Sequence, residues 1–247
     1  MLHTAIAGIA REARSERISY PLSYGPKDLE HQIDILEKRW PWIDSECARA
    51  LAARLPKRPR TPAWIEAPFC IVNPDFFGSY ADAVSSMLDA LIDARAGYRT
   101  SVDDRLRSVF RKDGDLSGFV RRTRRTKRFH QRLCDQQPGD IWIVYGQFGW
   151  HHRNQSVEEV RRSYAEEEYG FGLVEACSML LTHRRRLVNS AALQLECPGD
   201  MLRPHWSDKF SDAAFLHVHD GRLSIDACLA SVSSKRAGSL TGILPVL

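Results

Sequence analysis

Residues 138–159 read PGDIWIVYGQFGWHHRNQSVEE and contain the clearest structural signals in the chain. The opening Pro-Gly-Asp predicts a turn, and the compact run of branched and aromatic residues at 141–145 predicts a buried β-strand. Ser156 and Glu159 have the spacing of a capping box, in which the Ser side chain caps a helix and the Glu reaches back to it. This stretch is therefore predicted to form a strand, a polar loop and a helix.

Helical patterns dominate the sequence before this stretch. Apolar residues at helical spacing within 29–40 and 44–55 predict two helices, which we expect to form a helical hairpin. Five prolines between positions 56 and 74 exclude a long helix and favour an extended connection with a short apolar run at 69–72. An internal domain boundary, if the chain has one, is expected at residues 56–74. A further helix is predicted at 80–95.

The last third of the sequence carries β-strand patterns. Short strands are predicted at 193–196, 214–218 and 223–229, and the last two are joined through residues 219–221, whose Asp-Gly pair is typical of a tight hairpin turn. The order of elements predicts an α+β fold, in which a helix-rich N-terminal two-thirds packs with a small, mainly antiparallel sheet from the C-terminal third. We expect residues 1–247 to form a single domain.

The composition is that of an ordinary folded protein. Hydrophobic residues make up 43% and charged residues 27% of the chain, which excludes wholesale disorder. Charged residues interrupt every apolar run before it reaches the roughly 18 residues of a membrane-spanning helix. The six cysteines include no C-x-x-C pair, and residues 1–17 predict a helix rather than an export signal. We therefore expect a soluble, cytoplasmic protein with no membrane partner.

Positive charge is concentrated in residues 105–132. This segment holds eleven Lys or Arg against two acids, so it contributes +9 to a net charge of +4 and the remainder carries −5. Two helices are predicted here, at 103–110 and at 116–133. The second contains the densest basic run, whose residues are Arg121, Arg122, Arg124, Arg125, Lys127 and Arg128.

The basic run supports the leading hypothesis about function. A helix of this charge density can neutralise several phosphates and would bind nucleic acid with little sequence preference, while nearby Phe119, Phe129 and His130 could add stacking. The same charge can instead pair with acids such as residues 166–168, which we interpret as helix-surface groups, or with an acidic partner. The hypothesis is a non-catalytic binding protein whose basic helix engages nucleic acid or an acidic protein.

The loop at 146–155 is the second candidate site. It places aromatic, imidazole, guanidinium and amide groups directly before a capped helix, where free backbone N–H groups favour an anion. Two histidines could exchange protons near neutral pH, and an arginine could bind a phosphate or carboxylate. Candidate catalytic residues are His151, His152 and Arg153, and candidate binding residues are Gln147 and Trp150. The alternative hypothesis is a small enzyme that acts on an anionic substrate through this loop. The loop could instead be a simple polar connector whose side chains only pack.

No cofactor or metal site is predicted. The two glycines of the loop lack the third glycine of a dinucleotide fingerprint, and the chain has no Walker sequence. His217 and His219 lie on one face of a predicted strand, a spacing that can bind one ion, but further ligands would have to come from His205, Asp220 or Asp226. We interpret this pair as solvent-facing residues beside the hairpin turn.

Overall fold

The computed structural model describes residues 25–56, 61–94, 116–187, 191–203, 208–219 and 222–245. In chain order the α-helices of these residues are α1 (Leu29–Arg39), α2 (Glu46–Arg54), α3 (Tyr80–Asp93), α4 (Arg124–Gln136), α5 (Val157–Ser163) and α6 (Leu173–Thr182). The strands are β1 (Ala67–Val72), β2 (Val120–Arg122), β3 (Ile141–Gln147), β4 (Glu168–Gly170), β5 (Gln194–Leu202), β6 (Asp212–His219), β7 (Arg222–Leu229), β8 (Ala237–Ser239) and β9 (Thr241–Ile243). None of the described helices combines the length and hydrophobicity needed to cross a bilayer.

The first sheet has the strand order β1-β3-β9-β4, and all its pairings are antiparallel. Its two inner strands are β3 and β9, and all seven residues of β3 are buried, which confirms the strand predicted at 141–145. The capping box that follows is also confirmed, because the Ser156 side chain accepts from the Glu159 amide and Glu159 accepts from the Ser156 amide. The strand and the helix thus fix both ends of the intervening loop.

The second sheet has the order β2-β5-β6-β7, with the short strand β8 parallel to β5. Strands β6 and β7 form the predicted hairpin, paired from Asp212↔Leu229 to His219↔Arg222. Strand β8 belongs to this sheet and β9, which follows after one residue, belongs to the first. The C-terminal segment therefore ties the two sheets together.

Helix α6 lies between the sheets and contacts both β1 and β5. All ten of its residues are buried, which explains why most of its sequence is apolar; its three polar residues are Glu175, Ser178 and Thr182. Its N-terminal amides are satisfied by two buried carboxylates: Leu173 N donates to Asp200 and Gly172 N donates to Glu175. The core of the protein therefore contains acidic groups as well as apolar ones.

Helices α1 and α2 form the predicted helical hairpin. Arg49 of α2 forms ion pairs with three acids spaced along α1, which are Glu30, Asp34 and Glu37. The single-domain prediction, with its boundary at 56–74, remains a prediction, although β1 lies inside that interval and pairs with β3. The helices predicted at 1–17 and 103–110 lie outside the described residues, as do His205 and Asp220.

The predicted distribution of helices and strands is wrong, although the protein is α+β. Two mainly antiparallel sheets draw strands from the whole described chain, and β1, β2 and β3 all precede the C-terminal third. Strands β2 and β4 have three residues each, which is too short for an alternating pattern to show in a sequence. The helix predicted at 116–133 is likewise wrong in its first half, because β2 occupies positions 120–122 and α4 begins only at Arg124.

Candidate functional site

The basic run is divided between a strand and a helix. Arg121 and Arg122 belong to β2, where pairing with β5 fixes their orientation, and the other four cations belong to α4. The change occurs at Thr123, whose extended backbone and hydroxyl cap α4 by accepting from the Thr126 amide at 3.2 Å. The six cations therefore do not line one continuous helical face.

Arg125 binds main-chain oxygen atoms of a neighbouring loop. Its Nε donates to the carbonyl of Glu168 at 2.7 Å, and its Nη2 donates to the carbonyls of Ala165 and Glu166 at 2.5 and 2.7 Å. These three bonds hold the turn that leads into β4 against α4. Arg125 therefore has a structural role in the folded protein.

Arg122 points into a buried polar network. Its Nη1 lies 3.0 Å from Nδ1 of His130, and the opposite ring nitrogen of His130 lies 2.5 Å from Oε1 of Glu175. Because a guanidinium only donates, Nδ1 accepts and the ring proton is on Nε2, from which it is donated to the carboxylate. Burial opposes ionisation of Glu175, but the contact with His130 and hydrogen bonds from backbone amides together outweigh it and lower the pKa of the acid.

Four cations remain on the outside and are called here the basic face: Arg121, Arg124, Lys127 and Arg128. All four are exposed, and the last three have no hydrogen-bond or ion-pair partner among the described residues. The Arg121 guanidinium lies 3.9 Å from the ring centre of Phe210. The opposite side of α4 packs Phe129 and His130 into the interior, so these two rings cannot stack on a ligand from the basic face.

The polar loop places its candidate binding residues inside the protein. Gln147 is fully buried, and its Nε2 donates to the Ser239 carbonyl at 2.8 Å and to the Thr241 hydroxyl at 3.0 Å. Trp150 is also buried and carries the Arg153 guanidinium 4.5 Å above its ring. Gln147 therefore anchors the loop to the C-terminal strands, and Trp150 packs within the loop against Arg153.

The two adjacent histidines have opposite environments. His152 is only 4% exposed, and its Nε2 lies 2.6 Å from Oε1 of Glu168 while its Nδ1 lies 3.3 Å from the side-chain oxygen of Gln155. His151 is exposed and stacks on Trp64, with ring centres 4.8 Å apart and planes within 9°. Partial burial and repulsion from His152 lower the pKa of His151, and the charge of Glu168 opposes this.

His151, His152 and Glu168 form a compact group, called here the His-His-Glu cluster. One potential ligand atom from each lies within 4.8 Å of the others. Burial alone would raise the pKa of Glu168, but hydrogen bonds from His152 and Thr241 and the charge of His152 hold it below its usual value. This carboxylate is therefore ionised although it is only 2% exposed.

Glu168 was not among the residues selected from the sequence, and its interpretation as a helix-surface group is wrong. It begins β4, where pairing with Ile243 of β9 turns the side chain toward the loop. The only local signal is that an apolar stretch, Tyr169 to Phe171, follows it directly. Its partner His152 is sixteen residues away, so the contact depends on tertiary structure.

His217, which with His219 was the metal candidate considered from the sequence, does not belong to a group of three potential ligands among the described residues. Nε2 of His217 lies 3.9 Å from a carboxylate oxygen of Asp226 across the β6–β7 hairpin, and the side chain of His219 lies outside what the structure describes. Among the described residues, the three-residue group of potential ligands is the His-His-Glu cluster.

A further polar pair joins α3 to β5. The Tyr80 hydroxyl donates to Oδ1 of Asp200 at 2.6 Å, and the other carboxylate oxygen accepts from the Leu173 amide at 2.7 Å. Burial raises the pKa of Asp200 to about 7, although both hydrogen bonds oppose the shift. Asp200 is therefore a buried acid that titrates near neutral pH.

The chain matches no known family, and neither a curated protein nor a solved structure shows significant similarity to it.

Proposed function

We propose that the protein binds nucleic acid through the basic face, with contacts to phosphates rather than to bases. The observation that carries this proposal is the exposure of Arg124, Lys127 and Arg128 without a partner among the described residues. These cations occupy the N-terminal half of α4, where the positive end of the helix dipole already disfavours cations. They therefore do not serve the stability of the helix, and an external anion would relieve their repulsion.

The spacing of the cations suits a linear polyanion. Residues three and four apart lie on one helical face with Cβ atoms about 5–6 Å apart, so Arg124, Lys127 and Arg128 form one patch. Arg121 precedes them on β2 and is also exposed. Four neighbouring cations can release several counterions from a phosphate backbone, which is the main source of sequence-independent affinity.

Base stacking has little support. Phe129 and His130 are buried on the far side of α4, and the Phe119 ring is covered by the guanidinium of Arg203 at 5.3 Å. The interaction proposed is thus electrostatic, and we expect similar affinities for DNA and RNA of different sequence. An acidic protein partner would use the same residues, and the two are distinguished by measuring the direct binding of nucleic acid and of an acidic polypeptide.

The direct test is a charge-matched pair of triple variants. R124Q, K127Q and R128Q together remove three cations of the basic face, and R54Q, R162Q and K235Q remove three exposed cations elsewhere. The first variant should lose binding to mixed-sequence DNA and RNA, and its log–log salt slope should fall by about 3, one for each lost phosphate contact. Equal binding by the two variants would refute the proposal, as would binding only to acidic polypeptides.

The enzymatic alternative is less well supported. Of its three residues, His152 is buried and hydrogen-bonded to Glu168, and the Arg153 guanidinium packs on Trp150. Only His151 of the pair of histidines reaches solvent. The loop does not therefore present an acid, a base and a cation together to one substrate.

A further inference from the structure

We propose that the His-His-Glu cluster is a binding site for a transition-metal dication, with Zn²⁺ as the best-fitting ion. The site is separate from the basic face and does not depend on the function proposed above. Its three ligands would be His151, His152 and Glu168, brought together by the polar loop and the start of β4.

The spacing of the ligand atoms fits a metal. In a tetrahedral zinc site, metal–ligand distances of 2.0–2.2 Å place the ligand atoms roughly 3.3 Å from one another. The three atoms of the cluster already lie within 4.8 Å of one another. To bind an ion, the 2.6 Å contact between His152 and Glu168 has to widen to about 3.3 Å, and the exposed His151 has to rotate toward the other two ligands.

The environment of His152 supports a cation between it and Glu168. Both of its ring nitrogens face oxygen atoms: Nε2 lies 2.6 Å from the carboxylate of Glu168, and Nδ1 lies 3.3 Å from the side-chain oxygen of Gln155. A neutral imidazole has a single N–H and can donate to only one of these acceptors. A metal ion bound between Nε2 and the carboxylate would take the place of the Nε2 proton and leave Nδ1 to donate to Gln155.

The chain contains a second buried His–Glu pair, His130 and Glu175, in which only one ring nitrogen faces an acceptor. At His130, the donor Arg122 occupies Nδ1, so Nε2 carries the only ring proton and donates it to Glu175. The two pairs have nearly equal distances, 2.5 and 2.6 Å, but only the His152 pair places an acceptor at the far nitrogen and a second imidazole beside the carboxylate. We therefore interpret His130–Glu175 as a structural pair and His152–Glu168 as part of a candidate metal site.

The hydrogen bonds around the cluster resemble those that orient ligands in metal sites of other proteins. A ligating histidine commonly donates its other ring N–H to an oxygen, and the side-chain oxygen of Gln155 lies 3.3 Å from Nδ1 of His152 in the position for this bond. The second oxygen of Glu168 accepts from the Ala165 amide at 3.2 Å. Arg125 binds the carbonyl of Glu168 rather than its carboxylate, so this cation does not take the ligand position.

The ligand types indicate the class of ion. Two imidazoles and one carboxylate suit Zn²⁺ and similar transition metals, whereas Mg²⁺ and Ca²⁺ prefer oxygen ligands. Because His151 is exposed, one side of the ion would face solvent. Three protein ligands with an open position are the arrangement of zinc sites that accept an exogenous ligand.

The test is a Zn²⁺ titration of the metal-free full-length protein by calorimetry, with H151A and H31A compared. H151A removes an exposed ligand and leaves the buried pair intact, so it should fold, which its thermal unfolding checks; H31A removes another exposed histidine outside the cluster. We expect one Zn²⁺ per chain in the wild type and in H31A, and a loss of at least about 100-fold in affinity in H151A.

Two results would overturn the proposal. The first is the absence of stoichiometric Zn²⁺ binding by the wild type at micromolar protein. The second is unchanged affinity in H151A, because the ion would then be bound elsewhere, for example at exposed Cys47. As a second variant, E168Q should also lose Zn²⁺, and retention of affinity by folded E168Q would count against the site.

Discussion

The Nε atom of Arg125 donates a 2.7 Å hydrogen bond to the carbonyl oxygen of Glu168, the residue whose carboxylate faces His152. Helix α4 thus supplies both three of the four exposed cations of the basic face and the bond that fixes the start of β4. The adjacent Arg124 and Arg125 therefore have different roles, because Arg125 binds main-chain oxygen atoms of the protein and Arg124 is exposed to solvent.

Replacing Arg125 with Met should lower the free energy of unfolding by about 2 kcal/mol, because three carbonyl oxygens lose a charged donor. The adjacent R124M is the control, since Arg124 is exposed and has no partner among the described residues. It should leave stability nearly unchanged and weaken nucleic-acid binding. Urea denaturation of both variants gives the comparison, and equal stabilities would disprove the structural role of Arg125.

Asp200 should make stability depend on pH. Its pKa rises from an ordinary 3.8 to about 7 on folding, so the folded state binds this proton more tightly than the unfolded state. The resulting stabilisation is complete below about pH 4 and is lost as pH rises to about 7, a change on the order of 4 kcal/mol. Because other groups titrate in the same range, the contribution of Asp200 has to be measured as the difference in stability between the wild type and a variant without its carboxylate.

D200N is the matching variant. An amide can accept from the Leu173 amide and donate to the Tyr80 hydroxyl, and it has no charge to bury. Relative to the wild type, D200N should therefore gain stability steadily between pH 4 and pH 8. Chemical denaturation across this range tests the idea, and a constant difference between the two proteins would show that Asp200 does not titrate there.

Gly149 should not tolerate a side chain. Its φ is +88°, and a Cβ at this position would lie 2.5 Å from the carbonyl oxygen of Gly238 in β8. G149A should cost at least about 3 kcal/mol, because backbone strain and a backbone clash add. Gly78 has nearly the same φ, +90°, with nothing within 4 Å, so G78A should cost only about 1–2 kcal/mol. An equal loss of thermal stability in the two variants would contradict the close contact of the loop with β8.

The parts of the fold that the sequence predicted are those with strong local signals. The buried strand β3 has a continuous branched and aromatic run, α5 has its capping box, and the β6–β7 hairpin has an Asp-Gly turn sequence. The three-residue strands β2 and β4 were missed because pairing with distant strands, not local pattern, keeps them extended.

The sites were predictable only in part, for a related reason. Charge density located the basic run, but it could not show that Arg122 and Arg125 bind inside the protein while Arg124 does not. The histidine loop was selected correctly as a polar segment between a strand and a helix, yet its buried partner Glu168 comes from another strand. Contacts between residues far apart in sequence decided which side chains stayed available to a ligand.

The most direct test of the central claim is the affinity of the wild-type protein for labelled mixed-sequence DNA and RNA, measured between about 50 and 200 mM KCl. With four cations on the basic face, log affinity should fall linearly with log salt at a slope of roughly −3 to −4. A slope near zero, or no binding at the lowest salt, would contradict the assignment of nucleic-acid binding to Arg121, Arg124, Lys127 and Arg128.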